Sequence, residues 1–142
     1  MERIHKMASG HIFTDTSAWY AYIDKSDANH AAAVELVKNL DRPLITSNYI
    51  FDEILTLVKL RVGYHIAINL GQKLWNQEVA GLVRLTKEDE SRAWEIFVQY
   101  EDKGFSFTDC TSFAIMERLK IDTAFVFDDH FIQYGKLIVI PT

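Results

Sequence analysis

The sequence lacks most of the devices that staple or anchor a small protein. Its one cysteine, Cys110, leaves no partner for an internal disulfide and no second thiolate for a metal cage, so a small buried hydrophobe is expected there. Two prolines and six glycines are too few for a linker or a low-complexity chain. There is no run of about 18 apolar residues to cross a membrane, and the opening MERIHKMASGH has no apolar stretch resembling a secretory signal. The cytoplasm is the expected location. Positive charge is also short: 15 Lys and Arg stand against 20 Asp and Glu, a net charge of −5. That balance disfavours a protein gripping nucleic acid by general electrostatics. The argument weakens if several acids gather around divalent cations, because the bound ions then reverse the local potential.

What is present is an ordered globular pattern: 49% hydrophobic residues over 142 positions, expected as one domain over residues 1–142. Short apolar runs alternate with stretches of helical period, an α/β signature. The expected strands are HIFT (11–14), PLIT (43–46), LVRL (82–85), AFVF (124–127) and LIVI (137–140). Most are apolar throughout, as in parallel strands covered on both faces. Helical stripes lie between them: Ala32, Ala33, Leu36, Val37 and Leu40 after a cap at Ser26, then Phe51, Ile54, Leu55 and Val58 after a cap at Ser47. Gly63 stops that helix before another over about Tyr64 to Gln77. Thr86 with Asp89 forms a capping-box pattern ahead of Ala93, Ile96, Phe97 and Tyr100. A last helix begins near Thr108 and runs through Ala114, Ile115 and Leu119. Trp19, Trp75 and Trp94 read as packing residues, with Tyr20 and Tyr22 a minority option for base stacking.

Four positions carry carboxylates that sheet and helix formation do not require. Asp15 ends the first strand, at the edge where open parallel sheets bind ligands, although Asp is also an ordinary helix cap. Asp128 ends AFVF in the same way; on pattern alone its neighbour Asp129 is an equal candidate, and the pair also suits a turn. Asp109 sits at a helix start, where the dipole favours the ionised form and where Thr108 or Asp109 itself could cap. Asp52 and Glu53 both lie at the margin of an apolar stripe, and a helical wheel does not choose between them.

Taken together, the segments resemble PIN-domain ribonucleases, most closely the VapC-type toxins of bacterial and archaeal toxin–antitoxin pairs. The resemblance rests on TDTSAW around Asp15, the H-x-x-A of His30 and Ala33, FDEILTLVKLRVG around Glu53, SFTDCTSFA around Asp109 and FDDHF around Asp128. The four acids keep one order, at spacings of 38, 56 and 19 residues. The resemblance implies a three-layer sandwich with a central, mainly parallel sheet of about five strands flanked by helices. It selects Glu53 over Asp52, and Asp128 over Asp129, because the family's acid stands three places before a Phe, here Phe131. It adds Thr16 or Ser17 as a helper hydroxyl, with Asp129 kept as a further candidate helper. Residues 1–10 precede the family's usual strand start and are read as a possible short leader, and Val126 stands where the family often has Thr.

The implied activity is metal-dependent endonucleolytic cutting of RNA, leaving a 5′-phosphate and a 3′-hydroxyl. A phosphodiester repels an attacking anion, so its hydrolysis calls for cations that neutralise the phosphate, and an all-oxygen donor set suits Mg²⁺ or Mn²⁺. Asp15 and Asp109 are expected as central ligands, Glu53 and Asp128 as outer ones. The implied partners are RNA, a cognate antitoxin and a second copy of the chain. Lys59, Arg61 and His65, or Arg118 and Lys120, are candidate guides for the RNA backbone.

Competing chemistries fit less well. His5, His11, His30, His65 and His130 show no zinc-ligand spacing and read as surface or supporting groups, and no G-x-S-x-G elbow marks a serine hydrolase. An aspartate phosphatase wants a second Asp two places after Asp15, where Ser17 stands, and a receiver module wants adjacent acids there. The remaining alternative is a PIN fold retained as a non-catalytic RNA- or antitoxin-binding module.

Overall fold

The computed structural model describes residues 10–142. The leader expected over residues 1–10 therefore lies outside the described residues except for Gly10. In chain order the elements are β1 (Ile12–Thr14), α1 (Thr16–Ile23), α2 (His30–Lys38), β2 (Leu44–Ser47), α3 (Asn48–Arg61), α4 (Tyr64–Trp75), β3 (Gly81–Val83), α5 (Lys87–Gln99), α6 (Phe107–Leu119), β4 (Thr123–Phe125), α7 (His130–Tyr134) and β5 (Ile138–Ile140).

The five strands form one sheet in the order β3-β2-β1-β4-β5, every pair parallel. The chain steps outward from β1 through β2 to β3, then crosses back to β4 on the other side of β1. Right-handed crossovers therefore send α1–α4 to one face and α5–α7 to the other, which makes the three layers. The reversal falls between β1 and β4, and their carboxyl ends open the crevice where such sheets bind ligands. Ile12, Phe13, Ala124 and Phe125 of this central pair are all buried, as their unbroken apolar runs require.

Local chemistry sets the boundaries. Ser47 caps α3 by accepting the Ile50 N–H at 3.1 Å, and Gly63, at φ +153°, separates α3 from α4. Thr86 and Asp89 form the expected capping box at α5. The H-x-x-A pair also has a packing role. Nδ1 of His30 lies 2.8 Å from the Ala21 carbonyl at the end of α1, and Ala33, one turn on, is fully buried.

Several expectations are corrected. Ser26 does not cap α2: its N–H and hydroxyl both donate to Asp24, and the helix starts later, after Asn29. The cap of α6 is Ser106, not Thr108 or Asp109, although Asp109 completes the box. Trp19 packs in the core, but Trp75 and Trp94 are 58% and 59% exposed, so neither is a core residue. Trp75 instead covers Phe51 at 5.6 Å between ring centres and carries the Arg84 guanidinium at 5.1 Å. Four of the strands have three residues, one fewer than their expected runs, whereas β2 keeps four and shifts by one place to Leu44–Ser47; those at the sheet edges, β3 and β5, are only partly covered.

Candidate active site

Asp15 is held at the crevice by both neighbouring strands. Its backbone N–H donates to the Phe125 carbonyl at 3.0 Å, and its extended backbone ends β1 and begins α1. Oδ2 accepts the Ser17 N–H at 3.1 Å and the Ser17 hydroxyl at 2.7 Å. Ser17 Oγ in turn accepts the Phe127 N–H at 3.0 Å, tying the segment after β4 to the segment after β1. Asp128 follows that tie, and its Oδ1 accepts the His130 N–H at 3.0 Å.

The other two acids come from helices. In the α6 capping box, Oδ2 of Asp109 accepts the Ser106 N–H at 2.9 Å while Ser106 Oγ accepts the Asp109 N–H at 3.0 Å. The same Oδ2 meets Nδ1 of His130 at 2.7 Å. Glu53, in the second turn of α3, takes the Thr16 hydroxyl on Oε1 at 2.5 Å. Capping and site-building thus coexist at Asp15 and Asp109. Among the described residues, hydrogen-bond donors engage one oxygen of each of the four carboxylates.

All four acids line one open cavity of about 530 Å³, together with Thr16, Ser17, Arg61 and His130. Asp52 and Asp129 do not line it, so the geometry separates each from its neighbour. Both candidate hydroxyls have a carboxylate to hold, Thr16 for Glu53 and Ser17 for Asp15. Of the expected backbone guides, Arg61 reaches the cavity. Arg118 is committed elsewhere, with a two-pronged bond to buried Asp89 at 2.8 and 2.9 Å. Lys59, His65 and Lys120 are not among the lining residues.

The packing of like charges strains the site electrostatically. Burial, reinforced by the charge of Asp128 and then of Asp109, pushes Asp15 up to about 7 against the lowering effect of Ser17. Asp128 is raised as well, first by burial, with the nearby Asp109 charge adding to it and the His130 N–H opposing it. Such a cluster lacks positive charge at its centre. Asp109, Asp128 and His130 each offer a ligand atom within 4.8 Å of the others, two carboxylate oxygens and one ring nitrogen, while Asp15 and Glu53 line the same cavity outside that group. A divalent cation of the Mg²⁺ or Mn²⁺ kind fits these donors and that deficit of charge.

His130 is the contributor that motif reading undervalued. Its signal was its place two residues after Asp128 in FDDHF, where a short turn carries the ring back toward the helix bearing Asp109.

Comparison with known proteins bears on the family and the fold. The family description that fits the sequence is "PIN domain", matched over residues 12–137, and the chain belongs to that family. Among its relatives are the 23S rRNA-specific endonuclease VapC20 of Mycobacterium tuberculosis, 34% identical over 92% of this chain and 98% of its own. Ribonuclease VapC26 of the same organism is 28% identical over 89% of this chain and 98% of its own. The crystal structure of Mycobacterium tuberculosis VapC20, described as a sarcin–ricin loop cleaving toxin, superposes with a TM-score of 0.83 at 33% identity, covering 87% of this chain and 95% of that one.

Proposed function

We propose that the protein is a divalent-metal-dependent endoribonuclease, acting as the toxin of a toxin–antitoxin pair, with Asp15, Glu53, Asp109 and Asp128 as its metal-holding acids. The observation that carries this is the convergence of four carboxylates from β1, α3, α6 and the segment after β4 on one cavity, each with one oxygen tied back by a donor. The likeness to VapC20 and VapC26, whose names describe them as an endonuclease and a ribonuclease, supports the reaction class.

When bound, Mg²⁺ or Mn²⁺ neutralises the phosphate and makes water a usable nucleophile near neutral pH. The chain's own groups do the rest. Asp15 and Asp109, the more buried acids, are the inner ligands; Ser17, Ser106 and His130 fix which oxygen each presents. Glu53 and Asp128, the less buried pair, act as outer ligands. Thr16 holds Glu53 in place. Tying one oxygen of each acid beforehand lowers the cost of ordering the site when it is loaded. No side-chain nucleophile is needed, and the products expected are a 5′-phosphate and a 3′-hydroxyl.

The test is incubation of total cellular RNA with purified protein in Mg²⁺, Mn²⁺ or EDTA, followed by mapping of new ends. Because VapC20 is named for 23S rRNA, intact ribosomes and the isolated sarcin–ricin loop are the first defined substrates to try. Cutting in either metal, abolished by EDTA, supports the reading. A well-folded protein that leaves all of these RNAs intact would move the assignment to the binding-only module.

A further inference from the structure

The acid cavity must admit a polyanion, and its lining is overwhelmingly negative. Four carboxylates line it, and Asp27 makes a fifth. Besides the His130 ring, one cationic side chain lines it, that of Arg61. Arg61 lies at the last turn of α3, eight residues beyond Glu53, which puts the two about 12 Å apart along the helix. Among the described residues no carboxylate reaches Arg61 within ion-pair distance, whereas Arg92 and Arg118 are both paired. Its guanidinium rests 5.7 Å from the centre of the Tyr20 ring. Tyr20 is itself fixed by its hydroxyl, which donates to Asp24 at 2.5 Å, and that carboxylate also accepts from Ser26.

Arg61 is braced on Tyr20 through both the ring and the hydroxyl, which orients its fork; a guanidinium carries five N–H donors, so those not turned to Tyr20 can meet a phosphate, which matches the fork in shape and charge. We propose that Arg61 is the RNA-positioning residue of this site, binding a backbone phosphate neighbouring the one that is cut. This rests on the nuclease reading above. The rise along α3 sets the Arg61 backbone about 12 Å from that of Glu53, and no carboxylate comes within ion-pair distance of its guanidinium among the described residues, so it grips the strand to one side of the reacting phosphate. Its contribution is to substrate binding and alignment rather than to bond breaking. The Tyr20 and Arg61 pair therefore defines the direction in which the strand leaves the acid cluster, along α3 toward Gly63.

The experiment measures binding of a fluorescein-labelled RNA oligonucleotide by anisotropy, over a range of KCl at fixed Mg²⁺, in an Asp109→Asn background that does not cut. Arg61→Ala should weaken binding about ten-fold and lower the slope of log affinity against log salt by about one, the signature of one lost phosphate contact. Arg61→Lys should keep the slope. In the cutting background Arg61→Ala should raise KM with kcat nearly unchanged. An unchanged affinity and slope in Arg61→Ala, or a loss confined to kcat, overturns the assignment; so does a fall in melting temperature with no change in slope, which would mean a structural role. If the parent protein binds no RNA, the nuclease reading itself falls; if the parent binds and Arg61→Ala binds equally well, only the role of Arg61 falls.

Discussion

His130 joins two carboxylates that belong to different elements: its ring Nδ1 lies 2.7 Å from Oδ2 of Asp109, and its backbone N–H donates to Oδ1 of Asp128 at 3.0 Å. The ring is held from the other side by an edge-to-face contact with Phe105 at 5.8 Å. One residue thus sets the relative position of an acid from α6 and an acid from the sheet edge.

Removing that ring should loosen metal binding before it harms the fold. Supporting groups of this kind are commonly worth ten- to a hundred-fold in metal affinity, so His130→Ala should weaken Mn²⁺ binding by roughly ten-fold, measured by calorimetry without RNA. His130→Asn can place an amide donor near the Nδ1 position and should recover most of the loss. If both variants bind Mn²⁺ as the parent does, His130 does not position Asp109.

The metal-free protein should lose stability as pH rises through the mildly acidic range. Asp15 sits near 7 in the fold and near 3.8 ordinarily, so between those values the native state keeps a proton that the unfolded chain has released. Stability should therefore fall from about pH 4 to about pH 7, by a few kcal/mol at most, and level off above. Asp89 and Glu117 act in the opposite sense: Arg118 and Arg92 beside them hold their carboxyls low, and their stabilisation is lost only as pH falls below the ordinary carboxylate range. Thermal melts in EDTA across pH 4 to 8 check this, with Asp15→Asn expected to flatten the descent. Melting temperatures that rise steadily from pH 4 to 7 would contradict it.

Arg118→Ala should destabilise the fold by about 2–4 kcal/mol, because it strips the partner from Asp89, which is only 3% exposed. The pair locks α5 to α6 away from the cavity, so Mn²⁺ affinity should survive in the folded fraction. Urea melts alongside metal titration separate the two effects. A variant as stable as the parent would show that the pair contributes nothing net.

Much of this was legible in the residues, for physical reasons. Unbroken apolar runs ending in Asp15 and near Asp128 report buried parallel strands delivering acids to one edge, and a strand's end is easy to see when its next residue is charged. What failed were the width of a buried helix face, one helix cap and the long-range partners of charged groups. A stripe at helical spacing marks a buried face but not its width, so Trp94, one step round from buried Ala93, was placed inside and stands outside. Ser26 looked like a cap, but Asp24 captures both of its donors in a tight turn. Arg118 looked free until the fold brought it to Asp89, 29 residues away. Interactions of that range leave no local trace, and the contact of His130 with Asp109 was hidden for the same reason.

Steady-state cutting of one RNA substrate by Asp15→Asn, Glu53→Gln, Asp109→Asn and Asp128→Asn, each confirmed folded and compared with the parent in Mg²⁺ and in EDTA, tests the central claim most directly. The account predicts a loss of at least about a hundred-fold for Asp15→Asn and Asp109→Asn, a smaller but clear loss for the other two, and no cutting in EDTA. Undiminished cutting by Asp15→Asn or Asp109→Asn, or by the parent in EDTA, would contradict it.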